Sequence, residues 1–163
     1  MTRTNVTLIY SWIFLVLFCA PGAAQRSWLL LDKNEHWRKY SSEAEWQKAA
    51  YDIQTLETAV VNRNGKDITI IYDVQGESGD WRNIDRYVFK LDGTLIKLER
   101  TFGSDSQDIK LTQEFQLDAS GKLTKKLERE VSLTTGKMKN EAPEKPQLPI
   151  AANIDQLDFM KAP

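Results

Sequence analysis

Beyond its first 24 residues the chain has no cysteine, because the single one, Cys19, lies in an apolar leader. The remainder can form no disulfide, offers no thiol nucleophile and holds no cysteine zinc site. Histidine is almost as scarce. His36 stands alone, with Asp32 and Glu35 nearby, and one imidazole without a second His or Cys does not make a zinc site. Asp32-Lys33-Asn34 starts like a calcium loop, but His36 falls on the next ligand position and Trp37 where the loop glycine belongs. No Gly-x-Ser-x-Gly elbow occurs. Gly76-Glu77-Ser78-Gly79 has an acid at its centre and does not fit a phosphate cradle. Catalysis by a nucleophile, a metal or a phosphate-bearing cofactor therefore finds no motif, and no cofactor is expected. Charge of one sign is lacking too. Lys and Arg number 22 against 23 Asp and Glu, interleaved, so no basic face for nucleic acid forms.

What is present begins with the leader. Thr2-Arg3-Thr4-Asn5 is a short basic start, Val6 to Phe18 an apolar run, and Cys19 to Ala24 a helix-breaking, small-residue segment. This pattern predicts a signal peptide over 1–24 with Gln25 as the mature N-terminus. A membrane anchor needs about 20 apolar residues, and this run is shorter and ends at Pro21-Gly22. Lipidation at Cys19 needs a small residue before it, where Phe18 stands. No second apolar span follows, so no membrane insertion is expected after cleavage. A cysteine-free exported domain points to a bacterial envelope, periplasmic or extracellular.

Residues 25–137 read as a single α+β domain, a length able to bury a core. Ser42 to Glu57 reads as a helix. Ser42 and Glu45 fit a capping box, and Trp46, Ala49, Ile53 and Leu56 form a narrow apolar stripe. From Asp67 the period changes to two, and five runs separated by turn residues predict five antiparallel strands. The expected architecture is one amphipathic helix packed on a five-stranded meander. In outline it resembles the cystatin-like and NTF2-like architectures. Residues 138–163 read as a Pro-rich linker and tail. Ile154, Leu157 and Phe159 suit either a short helical turn docking back on the domain or a contact for another surface.

Register follows from the turns. Asp92-Gly93 as a two-residue hairpin sets Phe89 against Ile96, Tyr87 against Leu98 and Arg86 against Glu99. Placing Leu117 opposite Leu123 sets Glu114 against Lys126 and Lys110 against Glu130. Pairing Phe102 with Ile109 brings Lys97 beside Glu114. On the other face Asp85 then meets Arg100, and a Val74–Asn83 pair adds Tyr72. Tyr72, Asp85, Arg100 and Arg129 are thus expected in one polar row on the inner face. A charged group there needs a partner or faces a cavity. The row is either a structural ion pair with a rim arginine, or a ligand site in which guanidinium forks hold a carboxylate or phosphate. Trp81, in a turn just ahead of a strand, either lids the sheet edge or anchors a partner. The functional expectation is a non-enzymatic binding or interaction module. The alternative is a carrier of an anionic or lipid-like small molecule, or a small enzyme, with a pocket between helix and sheet.

Overall fold

The computed structural model describes residues 25–53, 55–118, 120–139 and 149–163. The leader, and most of the Pro-rich linker predicted for Asn140 to Pro149, lie outside them. The described residues build one antiparallel sheet of eight strands, not five: β1 (Gln25–Leu31), β2 (Trp37–Tyr40), β3 (Glu57–Arg63), β4 (Asp67–Gln75), β5 (Trp81–Lys90), β6 (Leu95–Ser104), β7 (Ile109–Leu117) and β8 (Leu123–Val131). Their spatial order is β2-β1-β3-β4-β5-β6-β7-β8, a meander broken only where β1 inserts between β2 and β3.

The α+β expectation of a helix packed on the sheet's inner face is overturned. The one α-helix among the described residues, α1 (Glu43–Ile53), is shorter than predicted and buries no residue. Its start follows the predicted cap, with Ser42 Oγ accepting from the Glu45 N–H at 3.3 Å. Its end comes early because Glu57 already belongs to β3. The stripe of Trp46, Ala49 and Ile53 is only half-buried, and the Trp46 indole N–H reaches the Leu29 carbonyl at 3.1 Å. Leu29 and Leu30 are adjacent on β1 and therefore point to opposite faces, yet both are buried. The strand is covered on both sides, with α1 against the outer one. The helix is a cover for one sheet margin, not an occupant of a grip, and the likeness in outline to helix-gripping folds fails with it.

The C-terminal segment takes the place expected for the helix. Ala151, Ile154, Leu157 and Phe159 are buried in one cluster with Leu29, Ala59, Val61, Ile68, Ile70, Tyr87, Phe89, Leu95 and Leu98 from β1 and β3 to β6. Two short 3₁₀ turns, Ile154–Gln156 and Asp158–Lys161, shape it, and the first carries a capping box between Asn153 and Gln156. The segment also pairs by its backbone with the β5–β6 turn: the Leu95 N–H donates to Ala152 O at 3.0 Å and the Ile154 N–H to Gly93 O at 2.9 Å. Phe159 packs edge-on to Trp37 at 5.1 Å between centroids and lies 5.2 Å from Tyr72. A smaller cluster of Phe102, Ile109 and Leu111, with Trp81 packed on it, closes the other end. Trp81 is a lid, lying over Gly76 and against Phe102.

Three local features move the predicted register. At the β5–β6 turn Gly93 has φ +87° and its N–H returns to Lys90 O, so the loop is longer than two residues. A bulge after Val88 then sets Phe89 against Leu95, which buries Leu95 and leaves Ile96 exposed, while Tyr87–Leu98, Arg86–Glu99 and Asp85–Arg100 pair as expected. At the β6–β7 turn Asp108 takes φ +49°, and its N–H donates to Asp105 O, closing a tight turn that pairs Ser104 with Ile109 and Phe102 with Leu111. In β8 a bulge at Lys126, opposite the Glu114–Phe115 step of β7, sets Glu114 against Leu127 instead of Lys126, and Lys110 against Val131 instead of Glu130. A slip of one residue exchanges faces, so it is this bulge that decides where Arg129 lies.

Candidate functional site

The polar row on the inner face is built by one residue from each of several neighbouring strands. Tyr72 on β4 faces Asp85 on β5, Asp85 faces Arg100 on β6, and Arg100 faces Gln113 on β7. The row therefore contains three of the four predicted residues. Arg129 is not among them. It pairs with Thr112, one position off the row, and is exposed, while Glu128 takes the place opposite Gln113.

Asp85 and Arg100 form a two-point ion pair, with Arg100 Nε donating to Oδ1 at 2.7 Å and Nη2 to Oδ2 at 2.6 Å. Their exposures are 1 % and 8 %. Asn83 Nδ2 adds a bond to Oδ1 at 2.9 Å and the Tyr87 hydroxyl one to Oδ2 at 3.2 Å. Four donors thus converge on one carboxylate, which is how a buried charge is tolerated. Burial works against the Arg100 charge, but the bonds to Asp85 outweigh it and hold the guanidinium above its ordinary pKa. Arg100 Nη2 also reaches Pro149 O at 3.4 Å, which ties the row to the start of the C-terminal segment. Both ends of the row extend the network. The Tyr72 hydroxyl donates to Glu57, and Gln113 Nε2 donates to Glu128 at 2.5 Å. Burial, then the bond to the Glu57 carboxylate, raises the Tyr72 pKa well above the usual phenol range. Burial and the neighbouring Asp85 charge do the same to Tyr87.

The chemistry available is narrow. Every oxygen of Asp85 is engaged, and the carboxylate has no room to take a proton from a substrate. Among the described residues no group of three or more His, Cys, Asp or Glu could hold a metal ion. His36 is exposed, and Asp32 closes the β1–β2 turn by accepting from the N–H groups of Asn34 and His36 and from Arg38. A depression of about 440 Å³, open to solvent, lies among Gln25, Arg26, Lys39, Tyr40, Glu45 and Pro163 and shares no residue with the row. Sequence reasoning missed Asn83, Gln113 and Glu57 as members of the network. Asn83 and Tyr87 stand two residues either side of Asp85, so strand parity alone placed them on its face; Gln113 depended on the β6–β7 register.

No helix among the described residues is long and apolar enough to cross a membrane. Comparison with family models, with characterised proteins and with solved structures finds no match to this chain.

Proposed function

We propose that this chain is an exported, non-enzymatic binding module that works through protein contacts. The observation that carries the reading is the occupancy of the inner face. The face of the sheet that could take a ligand is covered by the protein's own C-terminal segment, through Ala151, Ile154, Leu157 and Phe159. The buried ion pair on that face, Asp85 with Arg100, is closed upon itself. The reading is supported by the way this surface holds the chain's own C-terminal segment, by side-chain burial together with backbone bonds to the β5–β6 turn. Export rests on the leader, whose basic start, apolar core and small-residue end suit signal cleavage.

The carrier reading calls for a cleft that encloses most of its ligand, whereas the depression of about 440 Å³ among Gln25, Lys39, Tyr40 and Pro163 is open to solvent and shares no residue with the polar row. Two measurements on the exported full chain test the proposal. Melting curves with phosphate, citrate and a fatty acid should coincide with the ligand-free curve. Crosslinking from exposed Ile71, Ile96 and Leu127 in a bacterial envelope should capture a discrete protein that unlabelled chain competes away. A melting rise with one of the small molecules, abolished by Arg100→Met, would turn the assignment to a carrier.

A further inference from the structure

The segment that fills the inner face is joined to the sheet with more chain than the path requires. Met138 bridges to Val131 on β8, and Pro149 reaches Arg100 on β6. Three inter-strand steps, and three residues along the strands, separate Met138 from the level of Arg100, a straight path of about 17 Å. The ten residue steps from Lys139 to Pro149 can span about 33 Å. The segment also holds much of its own shape, through the Asn153–Gln156 capping box and the two 3₁₀ turns. Its seat is lined by the sheet and by the β5–β6 turn. There the backbone of Gly93 comes so close that a Cβ would stand 2.8 Å from Ile154 Cγ2.

We infer that the inner face is a binding groove for the 149–163 segment as a separable ligand, and that it accepts this segment from a second copy of the chain as well as from its own. The partner is committed by sequence identity: the copy's segment carries the same Ile154, Leu157 and Phe159 spacing and the same cap. The inference rests on reading the inner face as a peptide-holding surface, and it names the partner. A tether of this length gives the own segment an effective concentration in the millimolar range. The wild-type chain is therefore a monomer at micromolar concentration, and exchange becomes visible when the intramolecular contact is weakened on one side only.

The test uses two full-length variants that break the contact from opposite sides. Gly93→Val damages the groove and leaves the segment intact. Leu157→Ala with Phe159→Ala damages the segment and leaves the groove intact. Alone, each stays monomeric in light scattering. Mixed at about 100 µM, they form a 1:1 heterodimer, and the melting temperature of the segment-damaged chain rises. A mixture that behaves as the sum of its parts overturns the inference, including the case in which neither variant folds. Hydrogen exchange on the wild type is independent of the variants. The amides of Leu95 and Ile154 exchange at least about tenfold faster than those of Tyr87 and Leu98 if the segment undocks as a unit. Identical rates mean that it leaves only on global unfolding, and no exchange between copies follows. Heterodimer formation without any captured envelope protein keeps the inference and removes the wider binding role.

Discussion

Asp85 and Arg100 stand directly opposite each other on β5 and β6 and share two hydrogen bonds, buried from water and roofed by the Pro149 carbonyl. Removing one partner leaves the other charged and unpaired in the interior. Asp85→Ala should cost about 3–5 kcal/mol in denaturant unfolding. Replacing both, Asp85→Leu with Arg100→Met, should cost much less than the sum of the single changes, since a well-packed apolar pair often matches a buried ion pair. An additive double variant would mean that the two do not act as a unit.

The sheet from β4 to β8 was legible because its strands alternate and its turns carry Gly and Asp. β3 was not, because Ala59-Val60-Val61 is a continuous apolar run without alternation. The four-residue β2 is too short to show a period. Tyr72, Asp85 and Arg100 were found because the β4–β5 and β5–β6 registers are right around them. Arg129 was misplaced by a bulge at Lys126 that no glycine announces, and the β6–β7 turn by Asp108, which adopts a left-handed backbone without being glycine. The role of the C-terminal segment depended on tertiary packing, which its spacing left open.

On the outer face Lys97 sits between two carboxylates, 2.7 Å from Glu99 and 3.3 Å from Glu114, which are themselves direct cross-strand partners. Lys97→Ala should lower stability by about 0.5–1.5 kcal/mol, because it removes two partly exposed ion pairs and leaves like charges opposed. Adding Glu114→Gln should recover part of that loss. Unfolding midpoints of the two single variants and the double variant check it.

Tyr72 and Tyr87 are held neutral in the fold by burial and by neighbouring carboxylates, with pKa values above that of an exposed phenol. The native state thus retains protons that the unfolded chain releases above about pH 10. The stability these groups contribute is complete below that value and falls as pH rises through it. Melting temperature between pH 8 and 11.5 should decline beyond about pH 10, and less steeply for Tyr87→Phe, which keeps the ring and removes the ionisation.

Gly93 and Gly121 both take positive φ, +87° and +80°, but a Cβ meets Ile154 only at Gly93, with nothing within 4 Å at Gly121. Gly121→Ala should show the backbone strain alone, about 1–2 kcal/mol. Gly93→Ala should cost clearly more. Equal losses in chemical denaturation would mean that the segment is not seated against that turn.

The proposed export has a simple readout. The mature protein recovered from a secreting host should begin at Gln25, and intact mass should show the loss of residues 1–24. Retention of those residues would make the chain an anchored one.

The account depends most on residues 149–163 completing the inner face, and Phe159, 3 % exposed between Trp37 and Tyr72, is the deepest side chain of that segment. The denaturant unfolding curve of full-length Phe159→Ala tests it directly. The predicted result is a loss of about 3–5 kcal/mol, typical of truncating a buried phenylalanine. A loss within about 0.5 kcal/mol, typical of a surface change, would show the segment to be undocked and contradict the account.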